Sequence, residues 1–570
     1  MKYKEFNHRW ISDGIGDEYK AWGTLRRQRY PLRIFVESAT GTGKTSFVLR
    51  KFAPYVLGRG ENILYLGNRI ALITQIEEEI KKSFRTVDVR ERCKDKKKNG
   101  VIYDIWNNEY QAWSNITVVN YQAFQGFITR YMIDLQSYSY VLFDEAHYFL
   151  EDAPFNALTG RILVTLSQNV GQAVFIFLSA TLSESEEVLK AAAWLARPKH
   201  ENQQMFDQIY KVKKDILLYR NTYVRLQYNF HLYTKNDEIL NMIEKSPKSE
   251  KWLLFSDSIL EGNKLSNYIS EKMHRSVAFF DAKKKSLKAW ERLVKGERSR
   301  ENVLIVTKVF DNGANIHDSM VKHIVLPFCE RTDFLQMLGR RRVDNGEQIE
   351  VYIRVPSAQT INSQLNQTNR KIETVANAQA ILQEDYYKGN GGLETRLLQD
   401  LWLKGDRTIN SLFYIDENRR VVPNVLAYEK LSHRRSFLCD LKDNFQDVHH
   451  YLDIVSSWIT RGARNQTIRF STVNGRYTID ELLRGADSVK IDRDGELFYQ
   501  EFQLLYKMWC GEHLASNKEM LDKALNVRKG KTQRKATMNR ELKIAGLPYH
   551  IIKRTNEGTS CWIIQQHGGK

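Results

Sequence analysis

No two of the five cysteines (Cys93, Cys329, Cys439, Cys510, Cys561) form a Cys-x-x-Cys pair. That excludes the usual zinc and iron–sulfur frameworks and fits a reduced compartment, so a cytoplasmic location is expected. No apolar run approaches the ~18 residues of a membrane span. The opening Met1-Lys2-Tyr3-Lys4-Glu5-Phe6 has no apolar leader core, so neither export nor a membrane partner is expected. Acids are scarce relative to bases: 86 Lys and Arg stand against 68 Asp and Glu in 570 residues, a formal net charge of +18. Such an excess points to a polyanionic partner, most simply nucleic acid, with a basic solubility surface as the bland alternative. The length suits roughly three or four domains, each able to bury a core.

What is present centres on Ser38-Ala39-Thr40-Gly41-Thr42-Gly43-Lys44-Thr45. Ile34-Phe35-Val36 leads in as a buried strand, and Ser46-Phe47-Val48-Leu49 leads out as a helix. Glycines at 41 and 43 let successive N–H groups face one point at a helix N-terminus, which suits phosphate. Thr40, Gly41, Thr42, Gly43, Lys44 and Thr45 are therefore expected to hold a nucleotide. Lys44 would reach the outer phosphates and Thr45 would place its hydroxyl on Mg²⁺. The strict phosphate-loop pattern has glycine at 38, where this chain has serine.

Further strands follow at Ile63–Leu66, Ile116–Gln122, Tyr140–Phe143 and Ala173–Leu178, each a buried apolar run. Between them Lys94–Gly100 reads as an exposed charged loop. Asn68–Gln75 opens a helix, and Arg69, at the carboxyl end of a strand, is placed to meet a phosphate backbone. Tyr140–Phe143 runs into Asp144-Glu145-Ala146-His147. Adjacent carboxylates after a buried strand are costly unless they hold a cation or do chemistry. Asp144 fits a Mg²⁺ ligand, and Glu145 fits the base that orients and activates water. Ala173–Leu178 ends in Ser179-Ala180-Thr181, whose hydroxyls can hydrogen-bond the Asp-Glu loop.

In this order the segments, with Tyr121-Gln122 among them, resemble a superfamily 2 helicase of the DEAH type. The pattern is similar to DEAD/DEAH-box DNA helicases of phages and mobile elements. The resemblance covers about residues 33–355 and implies ATP and Mg²⁺ as cofactors and a second lobe. The sequence supplies strands at Tyr228–Tyr233, Trp252–Ser256, Ser276–Asp281, Asn302–Thr307 and His323–Phe328. They alternate with helices at Ile259–Lys272 and near Ser286–Gly296. Thr307–Ile316 resembles the fifth helicase motif, which implies Thr307 on the nucleic-acid backbone and Gly313 near nucleotide and water. Gln336–Val343 resembles the sixth, which implies catalytic roles for Gln336 and for Arg340 as an arginine finger. The pattern's last arginine falls on Val343; Arg342 stands one residue short of it and is carried as a nucleotide-binding candidate, which leaves the identity of a second finger open. Tyr121, like Arg69, is assigned to nucleic acid by this resemblance.

The expected fold is α/β, with two tandem RecA-like parallel-sheet lobes at 1–222 and 223–358. A mainly helical accessory region at 359–570 follows. Residues 523–540 carry seven basic side chains, Arg534 and Lys535 among them, and no acid. With a helix near Thr532–Ala545 and apolar segments flanking Asn556-Glu557-Gly558, they outline a winged-helix nucleic-acid reader near 520–570. A solvated basic helix packed on a hairpin is the alternative. The expected activity is ATP-driven helicase or translocase action, on DNA rather than RNA, with replication proteins as partners. A duplex translocase, an RNA helicase and a binding protein with a vestigial ATPase remain the rivals.

Overall fold

The computed structural model describes residues 2–25, 32–67, 87–90, 100–107, 112–124, 135–156, 173–190, 216–223, 228–281, 298–307, 316–342, 347–388, 412–415, 421–445, 449–461 and 468–473, with short stretches and single positions elsewhere, among them 496–497, 533–534, 549–556 and 559–566. The first sheet contains β1 (Lys2–Phe6), β2 (Leu32–Glu37), β3 (Asn62–Gly67), β4 (Val87–Arg90), β5 (Gly100–Asn107), β6 (Ala112–Asn120), β7 (Tyr138–Asp144), β8 (Val174–Ser179) and β9 (Ile216–Asn221). Their order is β1-β9-β2-β8-β7-β3-β6-β5-β4. Neighbours from β1 to β6 run parallel, and the β6-β5-β4 margin is antiparallel.

The central strands read as unbroken apolar runs because both sheet faces are covered. Alternation puts Phe35, Phe143 and Phe177 into one core, and Ile34, Val36, Leu142 and Leu178 into the other. Phe177 stacks between Phe35 and Phe143, with ring centroids 4.9 and 4.5 Å away. Burial of each ring contributes roughly 1.5–3 kcal/mol. The stack fixes the register of β2, β8 and β7, so the loops leaving their carboxyl ends emerge side by side. Those loops are the phosphate loop, Ser179-Ala180-Thr181 and Asp144–His147.

The second sheet is built from β10 (Tyr228–Tyr233), β11 (Lys251–Ser256), β12 (Val277–Phe280), β13 (Val303–Thr307), β14 (Val321–Leu326) and β15 (Ile349–Arg354). Beyond it come an antiparallel ribbon, β16 (Phe413–Ile415) with β17 (Val421–Pro423), and a short strand, β18 (Phe470–Thr472). The second sheet runs β12-β13-β11-β14-β15-β10-β18, parallel throughout. The protein thus has two tandem RecA-like α/β lobes, as expected.

Three features depart from the sequence reading. The helix after the phosphate loop is α only over Lys44–Phe47, widens to a π turn over Val48–Phe52, then resumes at Ala53–Gly58. Pro54 has no N–H to give the preceding turn, which accounts for the break. The second sheet does not end near 358, since β18 pairs with β10 more than one hundred residues later. The accessory region also enters both cores. Helix Val425–Asp443 buries Leu426, Ala427 and Leu431 in a first-lobe core, and Leu438 and Leu441 in a second-lobe core. Helix His450–Thr460 adds Tyr451, Leu452, Val455, Trp458 and Ile459 to the second. Of the expected winged helix, Tyr549–Asn556 and Thr559–Gln566 form an antiparallel hairpin. Gln533–Arg534, expected within its helix, instead form a short strand against Glu496–Leu497, and Lys535 and most of the rest of that helix lie outside the described residues. Among the described residues no helix is long and apolar enough to cross a membrane.

Candidate active site

The phosphate loop turns where Gly41 and Gly43 take φ of 75° and 80°, a region that favours glycine. At Gly43 a side chain would also meet the Trp10 ring, 3.0 Å from an added Cβ. Ser38 explains its own departure from the glycine pattern. Its Oγ lies 2.7 Å from Thr42 Oγ1 and accepts from Asn221 Nδ2 at 3.0 Å, tying the loop to the end of β9. Lys44 is buried and donates to the carbonyls of Ser38 (2.8 Å) and Ala39 (3.1 Å). Burial lowers its pKa, with the charges of Arg461 and Arg342 assisting and Glu145 and Asp144 opposing. Thr40, Thr42 and Thr45 lie with these residues on one loop and the first helical turn.

Asp144 is buried at the end of β7. Its Oδ2 accepts from Tyr65 (2.5 Å) and its Oδ1 from the Glu145 N–H (3.0 Å). Burial, then the charge of Glu145, raises its pKa to about 6. Glu145 has φ of 52°, a rare conformation for a residue with a side chain. Burial pushes its pKa up, but His147, Lys44 and Arg340 outweigh this and hold it at about 2. His147 Nδ1 lies 3.4 Å from Glu145 Oε2 and 2.9 Å from Ser179 Oγ. Ser179 Oγ also accepts from the Thr181 N–H (3.1 Å), and its carbonyl accepts from Ser38 N (3.0 Å). The three motif loops of the first lobe are therefore one hydrogen-bonded unit.

The second lobe closes on it. Gly339 sits against Thr40, whose Oγ1 would lie 2.2 Å from any Cβ at that position, so only glycine permits the approach. Thr332 Oγ1 donates to Glu184 (2.9 Å), and Arg331 lies 3.5 Å from Glu37. Gln336 is buried on helix Arg331–Leu338, and its Oε1 accepts from Arg340 Nη2 at 2.9 Å. Its Nε2 has no hydrogen-bond partner among the described residues. A buried unmet donor is costly and suits an anionic ligand. The arginine run divides by side. Arg341 is buried in a two-bond pair with Glu347 (2.8 Å each), while the charges of Arg340 and Arg342 act on Glu145 and Lys44. Arg342 therefore lies near the cleft despite standing one residue short of the pattern.

Tyr121 requires correction. It is 1% exposed, stacks on Tyr148 at 4.4 Å and donates to the Asp144 carbonyl at 2.8 Å. It orients the Asp-Glu loop from the core and has no surface for nucleic acid. Thr307 ends β13, buried, with Oγ1 lacking a hydrogen-bond partner among the described residues. Arg69, Gly313 and Lys535 lie outside the described residues. Arg534 is placed only as backbone, in a two-residue strand opposite Glu496–Leu497.

Sequence reasoning missed the residues that come from far along the chain. Lys430 is buried among Glu151 (2.6 Å), Glu330 (3.0 Å) and Glu184 (3.8 Å), bridging both lobes. Arg461 Nη2 donates to the Ala180 carbonyl at 3.0 Å. No local pattern marks either one. The donors present are oxygens, the Asp144 carboxylate at the end of β7 and the Thr45 hydroxyl on the first turn after the phosphate loop, and these suit Mg²⁺. Mg²⁺ commonly takes one or two protein oxygens and completes its shell with water and phosphate. Asp144 and Thr45 would hold it.

Residues 22–189, under a third of the chain, match the family described as DEAD/DEAH box helicase. No curated protein matches the chain. Among solved structures, a variant of S. cerevisiae Dbp5 bound to RNA and ADP BeF3 is 16% identical, covering 58% of this chain and 82% of its own, with a TM-score of 0.39. A DEAD box protein from Methanococcus jannaschii is 17% identical over 59% of this chain and 84% of that one, with a TM-score of 0.29. The Mycobacterium smegmatis helicase Lhr bound to ssDNA and AMP-PNP is 15% identical over 59% and 45%, with a TM-score of 0.38.

Proposed function

We propose that the protein is an ATP-hydrolysing motor that moves along or remodels nucleic acid, with its helicase domain holding the nucleotide and the second lobe completing the site. The observation that carries this is the approach of Gly339 to Thr40. It brings Gln336 and Arg340 against the first-lobe loops that carry Lys44, Asp144 and Glu145.

In this reading Thr40–Thr45 cradle the phosphates, and Lys44 leaves its carbonyl partners for the outer phosphates. Mg²⁺, when bound, neutralises charge on the phosphate oxygens. Glu145 orients the attacking water and accepts its proton. A carboxylate at about 2 is a weak base, but Lys44 and Arg340 are two of the charges that depress it. Polyphosphate between them takes up both, which raises Glu145 toward useful basicity. Gln336 and Arg340 stabilise charge developing on the transferred group. Thr307, Arg69 and the basic segment around Arg534 and Lys535 contact the nucleic-acid backbone.

DNA is taken as the substrate because the motif pattern resembles phage and mobile-element helicases and because of the winged-helix outline. A cytoplasmic role in replication, beside replication proteins, rests on the same resemblance. ATP hydrolysis measured with single-stranded DNA, duplex DNA and RNA as competing stimulators tests the reading, with DNA expected to stimulate most. Strand separation and triplex displacement, run in parallel, distinguish a helicase from a duplex translocase. Hydrolysis that Glu145→Gln leaves intact would overturn the assignment of the site.

A further inference from the structure

Arg461 lies outside both the matched helicase domain and the motif resemblance, yet it reaches the centre of the cleft. Helix His450–Thr460 ends on it with φ 52° and ψ 30°, a left-handed cap position where glycine is the usual residue. Gly462 follows immediately in the sequence, so the strained position falls to an arginine with glycine next door. Strain of this kind persists only where the surroundings over-determine it, and it collects at functional sites.

The helix that presents Arg461 is packed into the second lobe. Its Tyr451, Leu452, Val455, Trp458 and Ile459 belong to the second-lobe core. Trp458 packs on Phe334 with ring centroids 5.6 Å apart, and Phe334 shares its helix with Gln336. Arg461 and Gln336 therefore ride on one packed pair of helices and meet the first lobe together. There the guanidinium donates to the Ala180 carbonyl, between Ser179, which holds His147, and Thr181. A carbonyl alone would be served by any neutral donor. Arg331 and Arg220 stand nearby, each paired with Glu37. Burial and those two charges lower its pKa to about 10, with Glu37 opposing, so it remains a cation at neutral pH.

We propose that Arg461 is a positioning residue for hydrolysis. On lobe closure it fastens Ala180, which sets Ser179 and His147 and, through His147, the carboxylate of Glu145. This rests on the ATPase reading given above and extends it by assigning a cleft arginine from beyond the two motif-bearing segments. Arg461→Gly tests it, because glycine removes the guanidinium while relaxing the left-handed backbone. The variant should fold with an unreduced Tm and keep KM for ATP within about twofold, while kcat falls about 10–100-fold, the scale of a misplaced catalytic group.

A cycle with Ser179→Ala separates positioning from general support. Acting along one path, the two substitutions together should lose little more than the worse one alone. Multiplying losses, or an Arg461→Gly protein that turns over at the parent rate, overturn the proposal while leaving the ATPase reading intact. Glu145→Gln in the same assay guards that reading. Were the parent's hydrolysis insensitive to Glu145→Gln, both would fall.

Discussion

The two lobes treat their polar groups differently. In the first lobe they bond to one another: Ser38 to Thr42 and Asn221, Lys44 to loop carbonyls, Asp144 to Tyr65, His147 to Ser179. In the second some pair internally, as Arg340 does with Gln336 and Arg341 with Glu347, while others reach across: Thr332 to Glu184, Arg331 toward Glu37, Arg461 to Ala180. Gln336 meanwhile keeps a buried donor unmet among the described residues. A site assembled within one lobe can bind ligand without its neighbour. A site completed from the other lobe works only when the two are closed. On the proposed reading, nucleotide binding falls to the first lobe and turnover to the joint, the division expected of a motor that couples hydrolysis to domain movement.

The largest effect should come from the joint. Arg340→Ala is expected to lower kcat by about 10³ or more with ATP affinity little changed, as measured by steady-state turnover alongside nucleotide binding. Glu145→Gln probes the first lobe. It should lose about 10²–10⁴ in kcat and keep ATP binding, because an amide cannot take the water's proton.

Lys430→Met attacks the joint through stability. Removing one partner of a buried ionic group costs about 3–5 kcal/mol, here leaving Glu151, Glu184 and Glu330 without their shared cation. The pH dependence follows in sign. Burial raises the pKa of Glu151 from 4.5 to about 7, with Asp333, Glu184 and Glu330 adding to the rise and Lys430 opposing it. A raised carboxyl pKa favours the fold at low pH, and that contribution is lost as pH climbs from about 4.5 through 7. Without Lys430 the pKa climbs further, so thermal melts should show the variant's deficit larger at pH 8 than at pH 5. An equal deficit at both would mean that charge is not what Lys430 supplies.

The smallest effect concerns the basic segment. Ending the chain at Leu521 should weaken DNA binding and flatten the slope of log affinity against log salt by roughly two to four units, leaving nucleotide binding in place. An unchanged slope would make the segment a structural cap.

Much of the fold was legible because parallel strands covered on both faces leave unbroken apolar runs, as in Val174–Ser179 and Val303–Thr307. The motif loops were legible for the same reason, since they follow those strands directly. Tyr121 misled because an aromatic residue after a strand looks alike whether it faces solvent or, as here, stacks on Tyr148. Ser38 looked like a defect until Asn221, from β9, supplied its partner. Lys430 and Arg461 were illegible because their meaning is wholly tertiary. Each gains its role from carboxylates or a carbonyl that lie a hundred or more residues away in sequence. The arginine run was half legible: only the pair with Glu347 shows that Arg341 faces inward, between two residues whose charges act on the cleft.

The central claim is the division between binding and turnover, and one pair of variants tests it most directly. ATP affinity and kcat are measured side by side for Lys44→Ala and Arg340→Ala. The account predicts that Lys44→Ala loses affinity, whereas Arg340→Ala retains it and loses turnover. An Arg340→Ala protein that binds ATP as poorly as Lys44→Ala, or that hydrolyses it at the parent rate, would contradict the account.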